Sequence, residues 1–543
     1  MVMEDPGQIR NEVALKYVDT RSTLTFKKPS KIHIAKVVLR LLPIVINFRR
    51  DRRNWVKHEG KNIDEENYRR HAKKALKAFI ELGPSYIKLG QWLSTRADIL
   101  PLPYLEELSK LQDDVPPAEF QKVKPIIEGE LGKIENTFES FNTAPLSGAS
   151  LGQVYLARYQ GKDVIVKVSR PNIEELIEND IYILKKILPL ATKFIDPNLR
   201  FSAEAMLSQF VETIYEEMNY TIEAQNLISI KRNLARDSTV MVPRVFLDAT
   251  SKHVLTMEYM PGIKITDIAA LDRKGIDRER LVVRIHKLFF KMLLRHNIFH
   301  ADPHPGNISI TDNGTIILYD FGMVGRLDVK TRLKLIRLYL GLVDKDASRT
   351  VNVLMELGTL EPTVNRYFVE KAVDMSIQSL YGKEIGKMEV RALTDLANKT
   401  LSRFPFRLPK NLALYMRMAS LLEGIYLYHK VSFQFIKMVA NVLEEEGVIR
   451  EAYIEEAKTT IQRFAKSIES VLNVAPALQS FLDTQEHYKS RAQKDNTFIA
   501  GTILATGLFV GSSIALPYNT SLAYAGFASA LVCLVLTILR RKF

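Results

Sequence analysis

The stretch FHADPHPGNISI, Phe299 to Ile310, holds two histidines, an aspartate, two prolines, a glycine and an asparagine ahead of a short β-branched run. Three chemistries fit it. His300, Asp302 and His304 form H-x-D-x-H, a possible metal-ligand cluster. Asp302 and Asn307 have the spacing of a phosphate-handling loop that also holds a metal. The prolines and glycine alone would make it a turn between two buried elements. The flanking chain decides among these.

Upstream, SGASLGQVYLARYQGKDVIVKV (Ser147–Val168) runs from small residues into alternation, a Gly-Lys turn and a β-branched run. That predicts a loop followed by a strand hairpin. HVLTMEYMPG (His253–Gly262) reads as a strand ending in a Pro-Gly turn, and Arg280 to His296 as a helix. Downstream, GTIILYDFG (Gly314–Gly322) is another strand with a turn. Glu65 to Leu93 and about Glu174 to Ala235 read as helical, as does most of the chain beyond Gly322 up to about Lys494.

A nucleoside triphosphate site needs small residues near phosphate, a fixed cation and magnesium-binding carboxylates. The chain supplies them in that order. Ser147, Gly148, Ala149, Ser150 and Gly152 make the small-residue loop. Lys167 ends VIVK, matching the V-A-I-K pattern of protein kinases. Asp302 and Asn307 match the catalytic loop, and Asp320 opens DFG. Glu258 lies in the strand that serves as a hinge, where backbone meets adenine. Each piece alone is weak and the ordered set is strong. A binuclear metal hydrolase would want further His and Asp at readable spacing, and beyond His296 the histidines scatter.

The chain has 543 residues, which points to two or more domains, and a net charge of +14. Nucleotide and lipid sites account for that charge without nucleic acid. The single cysteine, Cys533, excludes an intrachain disulfide and a cysteine-rich zinc site and points to a reducing compartment. No secretory-signal pattern is present: LLPIVI (Leu41–Ile46) is too short and lies too far in. RRDRR (Arg49–Arg53) follows it, either a solvated face or a contact for anionic headgroups. From Asn496 to Leu539 no residue is charged, and the run splits at PYNT (Pro517–Thr520). Lys489, Arg491 and Lys494 precede it, and Arg540, Arg541 and Lys542 follow it. This predicts two transmembrane helices with both ends cytoplasmic, and Gly507 and Gly511 permit close helix approach.

On these residues the chain resembles the UbiB family of atypical, protein-kinase-like proteins tied to isoprenoid quinone biosynthesis. The resemblance rests on GPSYIKLGQWLSTRADILP (Gly83–Pro101), LQDDVPP (Leu111–Pro117), PLSGASLGQVYLA (Pro145–Ala157), VIVKV (Val164–Val168), EEMNYTIEAQN (Glu216–Asn226), FHADPHPGN (Phe299–Asn307) and YDFGMVG (Tyr319–Gly325). It implies that Lys167 holds the α and β phosphates of ATP, oriented by Glu223. The residues alone leave Glu174, Glu175 and Glu178 equally open. It implies that Asp302 is the catalytic-loop aspartate and that Asn307 and Asp320 bind Mg2+. It also implies that Lys88 and Gln91, of the family's K-x-G-Q element, lie over the active site where other kinases admit a peptide. Three positions depart from the patterns: His304 replaces the lysine that protein kinases place two after the aspartate, Gly148 enters an alanine-rich loop and loosens it, and Asn219 replaces the aspartate of E-x-D.

The expected fold is α+β: a two-lobed protein-kinase-like fold with an N-terminal helical extension and a C-terminal transmembrane helical hairpin. The expected divisions are a basic segment (1–74), an extension carrying K-x-G-Q (75–130), an N-lobe (131–262), a C-lobe (263–445), a helical linker (446–495) and two membrane helices (496–539). The expected function is a lipid-stimulated ATPase supporting isoprenoid quinone biosynthesis, with membrane lipids, quinone precursors or a biosynthetic protein complex as partners. The alternatives are a protein serine/threonine kinase and a nucleotide-binding pseudokinase scaffold.

Overall fold

A computed structural model describes residues 29–57, 64–94, 96, 100–111, 115–192, 197–360, 366–381, 409–431, 435–454, 457–458, 461, 496–515 and 520–542. Most of the expected linker (446–495), the first 28 residues, the motif residues Gln112, Asp113 and Asp114, and Pro517 to Asn519 of the expected turn lie outside them. The chain divides into two units, Met1–Ala452 and Tyr453–Phe543.

The first unit opens with helices α1 (Lys31–Lys57), α2 (Glu65–Leu82), α3 (Pro84–Leu93) and α4 (Leu102–Leu108). The single helical run read over Glu65–Leu93 is broken at Gly83, which sits at φ +102° and hands over to Pro84 at the first turn of α3. A left-handed glycine followed by proline ends one helix and starts the next. These helices share a core of Val37, Leu41, Phe79, Tyr86 and Leu108, joined by Ile183.

Helices α5 (Phe120–Leu131) and α6 (Ile134–Thr137) lead into strands β1 (Ser140–Phe141), β2 (Ser147–Gly148), β3 (Gly152–Tyr159) and β4 (Lys162–Ser169). The hairpin of β3 and β4 turns at Gln160 and Gly161, both at positive φ. Helices α7 (Ile173–Thr192), α8 (Pro197–Glu217) and α9 (Tyr220–Asn233) follow, then β5 (Val240–Met241) and β6 (Val254–Glu258). The N-lobe sheet is antiparallel in the order β1-β3-β4-β6, with β2 also on β3. Register sets Lys167 opposite Leu255 and Val154. Alternation along β4 sends Val164, Val166 and Val168 into a core with Val123 and Ile127 of α5, leaving Lys167 on the other face.

The second lobe begins with β7 (Ile263–Lys264), α10 (Ile268–Arg273) and α11 (Arg278–Arg295). Then come β8 (Ile298–His300), β9 (Ile308–Ile310), β10 (Ile316–Leu318) and β11 (Val324–Arg326). Short sheets β5-β10-β9-β7 and β11-β8 hold the loops between these strands. Helices α12 (Val329–Val343), α13 (Ala347–Glu356), α14 (Arg366–Tyr381), α15 (Lys410–His429) and α16 (Phe435–Glu445) complete it. Ile285, Phe289, Phe290, Leu293 and Met418 are fully or almost fully buried in this lobe's core. The α+β, two-lobed expectation matches this architecture.

The second unit contains α17 (Asn496–Ala515) and α18 (Thr520–Lys542). They pack along one another: Phe509 and Phe527 lie 5.1 Å apart, and a Cβ on Gly526 would come 2.1 Å from Ser512 Oγ. The close approach is therefore at Gly526, while Gly507 faces open space. Among the described residues no helix is long and apolar enough to cross a membrane, so the expected pair of crossings lacks support from the structure.

Candidate nucleotide site

Lys167 leaves β4 toward the space between the lobes. Its Nζ donates to Glu223 Oε1 at 2.6 Å and lies 3.6 Å from Asp320 Oδ2. Glu223 stands in the first turn of α9, whose N-cap is Asn219, accepting from Thr221 N at 3.1 Å. Asn219 thus serves as a cap in the place where E-x-D has its aspartate. Of the four glutamates open in sequence, Glu223 is the partner; Glu174 is bound to Lys252 and His253 instead.

Glu223 Oε1 also accepts from Phe321 N at 3.1 Å, so one carboxylate oxygen joins the lysine to the DFG backbone. Asn226, one turn on, donates to Phe321 O at 3.1 Å and accepts from Arg326 at 2.8 Å. Asp320 is in the left-handed region at φ +54°, and its Oδ1 accepts from Gly322 N at 3.1 Å. A non-glycine residue held there by its neighbours marks a constrained turn. Burial pushes the Glu223 carboxyl up. Burial also opposes ionisation of Asp320, but Lys167, the Gly322 N–H and Lys88 hold its carboxyl down to about 2. Burial alone would lower Lys167; Asp320 and Glu223 hold it above its ordinary value. Lys167 and Asp320 keep their charges because each compensates the other.

The opening stretch is built around His300. Its Nδ1 accepts from Asp302 N at 3.1 Å and its Nε2 donates to Tyr319 O at 3.2 Å. Burial lowers its pKa, which keeps the imidazole neutral and suited to one donor and one acceptor role. Both ring nitrogens are therefore spent on backbone, and His300 braces the loop rather than ligating a metal. Among the described residues no group of three His, Cys, Asp or Glu is placed to hold a metal by itself. His304 takes Gly306 N at 3.1 Å and caps the 3-10 turn Pro305–Asn307.

Asp302 is held from two sides. Asn307 Nδ2 donates to Asp302 O at 3.2 Å and Oδ2 at 3.3 Å. Arg417, on α15, donates to Asp302 Oδ1 through Nε at 3.2 Å and through its terminal nitrogen at 2.7 Å. Sequence reading missed Arg417 entirely. It lies far along the chain on a helix of Met and Leu texture, with no motif around it.

Lys88 and Gln91 lie on α3. Lys88 Nζ pairs with Glu217 Oε2 at 2.8 Å with only 14% of its side chain exposed, and Gln91 donates to Leu111 O at 3.1 Å. Lys88 is near enough to Asp320 to help hold it ionised. Gln91 instead ties α3 to the chain that leads toward Val115.

Gly148 does not loosen its loop as the sequence suggests. It pairs in β2 with Gln153, and a Cβ there would meet Val115 O at 2.1 Å. Arg170 clamps the same segment, donating to Ala149 O at 2.8 Å and Val115 O at 3.0 Å. The glycine is required by close approach of backbone, and its loop lies under the Val115–Pro117 segment. Gly152 likewise makes room for the Tyr220 hydroxyl, 2.1 Å from an added Cβ. Ser147 pairs with Val154 in β2, and Ser150 is buried. The Glu258 side chain accepts from Arg244 N at 3.1 Å; beyond it Tyr259 N donates to Asp163 O at 3.0 Å and Met260 O accepts from the Tyr319 hydroxyl at 2.5 Å.

For magnesium the donor set fits. Asn307 spends its amide nitrogen on Asp302, which leaves its oxygen for a cation. Asp320 adds a carboxylate that is ionised throughout the ordinary pH range. Few protein oxygens plus phosphate is how magnesium is usually held. Beside the DFG turn lies an open pocket, about 540 Å3 counting the space continuous with solvent, with Trp92, Glu216, Glu217, Met323, Ala413 and Leu414 among its lining residues.

A strand lysine fixed by a helix glutamate, facing an Asp–Asn loop and a DFG turn across two lobes, is the arrangement of a protein-kinase-like fold. The ABC1 atypical kinase-like domain profile matches residues 110–354. The chain belongs to this ABC1/UbiB family of atypical kinase-like proteins. Protein ACTIVITY OF BC1 COMPLEX KINASE 7, chloroplastic, of Arabidopsis thaliana is 34% identical over 403 residues, covering 73% of this chain and 57% of that protein. The uncharacterized protein sll1770 of Synechocystis is 37% identical over 364 residues, 66% of this chain and 62% of that one. The chain thus spans between half and two-thirds of the length of its curated relatives. The solved complex of Rv3197 with erythromycin from Mycobacterium tuberculosis aligns at a TM-score of 0.47 and 22% identity, over 67% of this chain and 92% of that chain.

Proposed function

We propose that the protein is an atypical kinase-like enzyme that binds ATP with Mg2+ and hydrolyses it, stimulated by membrane lipid, in support of isoprenoid quinone or related lipid metabolism. The observation that carries this reading is the Lys167–Glu223–Phe321 link, which holds the phosphate-binding lysine and the DFG turn as one unit. Magnesium at Asn307 and Asp320 would neutralise charge on the phosphates. Lys167 holds the phosphates, and Asp302 orients the attacking group. Arg417 supplies the cation that the loop lacks at His304. The extension over the small-residue loop, with Lys88 on Glu217, favours water or a small acceptor over a peptide.

The membrane part of the reading rests on the sequence alone, on the charge-free run Asn496–Leu539. In this reading the hairpin anchors the protein with its catalytic unit in the cytoplasm. One observation favours a nucleotide-binding scaffold: both carboxylate oxygens of Asp302 are engaged by Asn307 and Arg417. Phosphate release by the purified protein, with a gel for labelled protein, separates these readings. Release without labelling supports the ATPase; labelling of an added protein moves the assignment to protein kinase; binding without turnover leaves the scaffold.

A further inference from the structure

Helix α1 carries two apolar stripes. Ile34, Val37, Leu41, Ile44 and Phe48 pack into the core shared with α2, α3 and α4. Ile32, Leu39, Leu42 and Ile46, spaced by seven, three and four residues, line the far side, 82, 72, 47 and 55% exposed. Aliphatic side chains in line and open to solvent over four turns mark an interaction face.

The charges on the helix say what covers that face. The one carboxylate of α1, Asp51, is buried and bound to His71 at 2.7 Å. Arg50 and Arg53, both exposed, continue the line of the stripe into the last turns, Arg50 also reaching back to His71 Nε2 at 3.4 Å, and exposed Lys31 and Lys36 flank it. The outer surface is therefore apolar and cationic, the composition of helices that lie in a bilayer interface. A second copy laid along the stripe would set these cations against one another.

We infer that the outer face of α1 docks on an anionic lipid bilayer. Ile32, Leu39, Leu42 and Ile46 enter the boundary of the acyl chains, and Arg50, Arg53, Lys31 and Lys36 meet lipid phosphates. The inner stripe fixes the helix to its own lobe, so docking sets the orientation of the K-x-G-Q helices at the membrane. This deepens the membrane reading above and rests on it only for the presence of a bilayer.

The test uses the full chain with Cys533→Ser and an environment-sensitive fluorophore at Leu39→Cys. A second preparation carries the label at Lys122→Cys, an exposed site on α5. Each is mixed with phosphatidylcholine vesicles, with and without phosphatidylglycerol, and flotation is recorded in parallel. The expected result is a blue shift at position 39 with the anionic vesicles, reversed by high salt and absent at position 122. Arg50→Gln with Arg53→Gln should lower the apparent vesicle affinity of that signal about 30-fold, at about 1 kcal/mol per cation. Flotation with an unchanged label at 39 overturns the docking face while leaving the hairpin reading intact. No flotation at all overturns both. A shift that grows with protein concentration without vesicles assigns the face to a second copy, and an equal shift with soluble polyglutamate assigns it to an acidic protein; either overturns the lipid proposal.

Discussion

The two sides of the cleft are wired differently. On the N-lobe side, Lys167 and Glu223 form a pair with 14% and 7% of their side chains exposed, and the pair is locked onto the backbone of Phe321. Every member lies within residues 110–354, the span of the kinase-like domain. On the C-lobe side, Asp302 is gripped by Arg417, which lies beyond that span, on a pair with 21% and 15% exposure. The first pair ties β4 and α9 to the DFG turn. The second joins the Asp302 loop to α15, so the chain beyond residue 354 reaches into the site.

The largest expected effect falls on the first pair. Lys167→Ala leaves Glu223 buried without its cation, and removing one partner of a buried pair costs about 3 kcal/mol or more. Stability to urea should fall by that amount, and stabilisation by MgATP should vanish. A loss below about 1 kcal/mol would mean that water reaches Glu223 and that the pair is no framework.

The second pair should respond in turnover more than in stability. Arg417→Ala should slow MgATP turnover about 100-fold, the scale of losing one donor to developing charge. Arg417→Lys should recover only part, since an ammonium lacks the guanidinium fork. Faster turnover in the alanine variant would make the ion pair a brake and break the parallel between the two sides.

Four residues drawn from both sides were legible in sequence. Lys167, Asp302, Asn307 and Asp320 each sit in a local pattern of strand end or loop, and spacing alone orders them. Glu223 was not legible from spacing, because packing of α9 against β6 decides which of four glutamates meets the lysine. Arg417 gave no signal, since a lone arginine on an apolar helix reads as a snorkelling surface residue. Gly148 was misread because a glycine needed for close approach and one needed for flexibility look alike in sequence. The stripe on α1 was obscured by its twin: two apolar lines on one helix make it look apolar all round, and only burial shows which line is covered.

Gly148→Ala sharpens that point at a smaller scale. Its Cβ would meet Val115 O, which is backbone and cannot swing aside. The variant should lose roughly 1–3 kcal/mol, the range for overpacking. An unchanged melting temperature would show that the Val115–Pro117 segment lifts freely from the loop.

A further effect lies away from the cleft, where His253 bridges Glu130 and Glu174 and is pushed up to about 9 from 6.5. A folded-state value above the unfolded one stabilises the charged form. Its contribution is full below about pH 6.5 and is lost as pH rises through about 9. Thermal stability should therefore decline over that window in the parent chain, and His253→Gln should flatten that part of the decline. An identical pH profile in the variant would remove His253 from the account.

The central claim is that Lys167 and Asp320 hold a turning-over nucleotide. The most direct measurement is magnesium-dependent phosphate release by the purified chain, with and without anionic liposomes, beside Lys167→Ala and Asp320→Asn. The account predicts lipid-stimulated release in the parent and its loss in both variants. Release of equal rate in all three proteins, or nucleotide binding without release under every lipid condition, would contradict it.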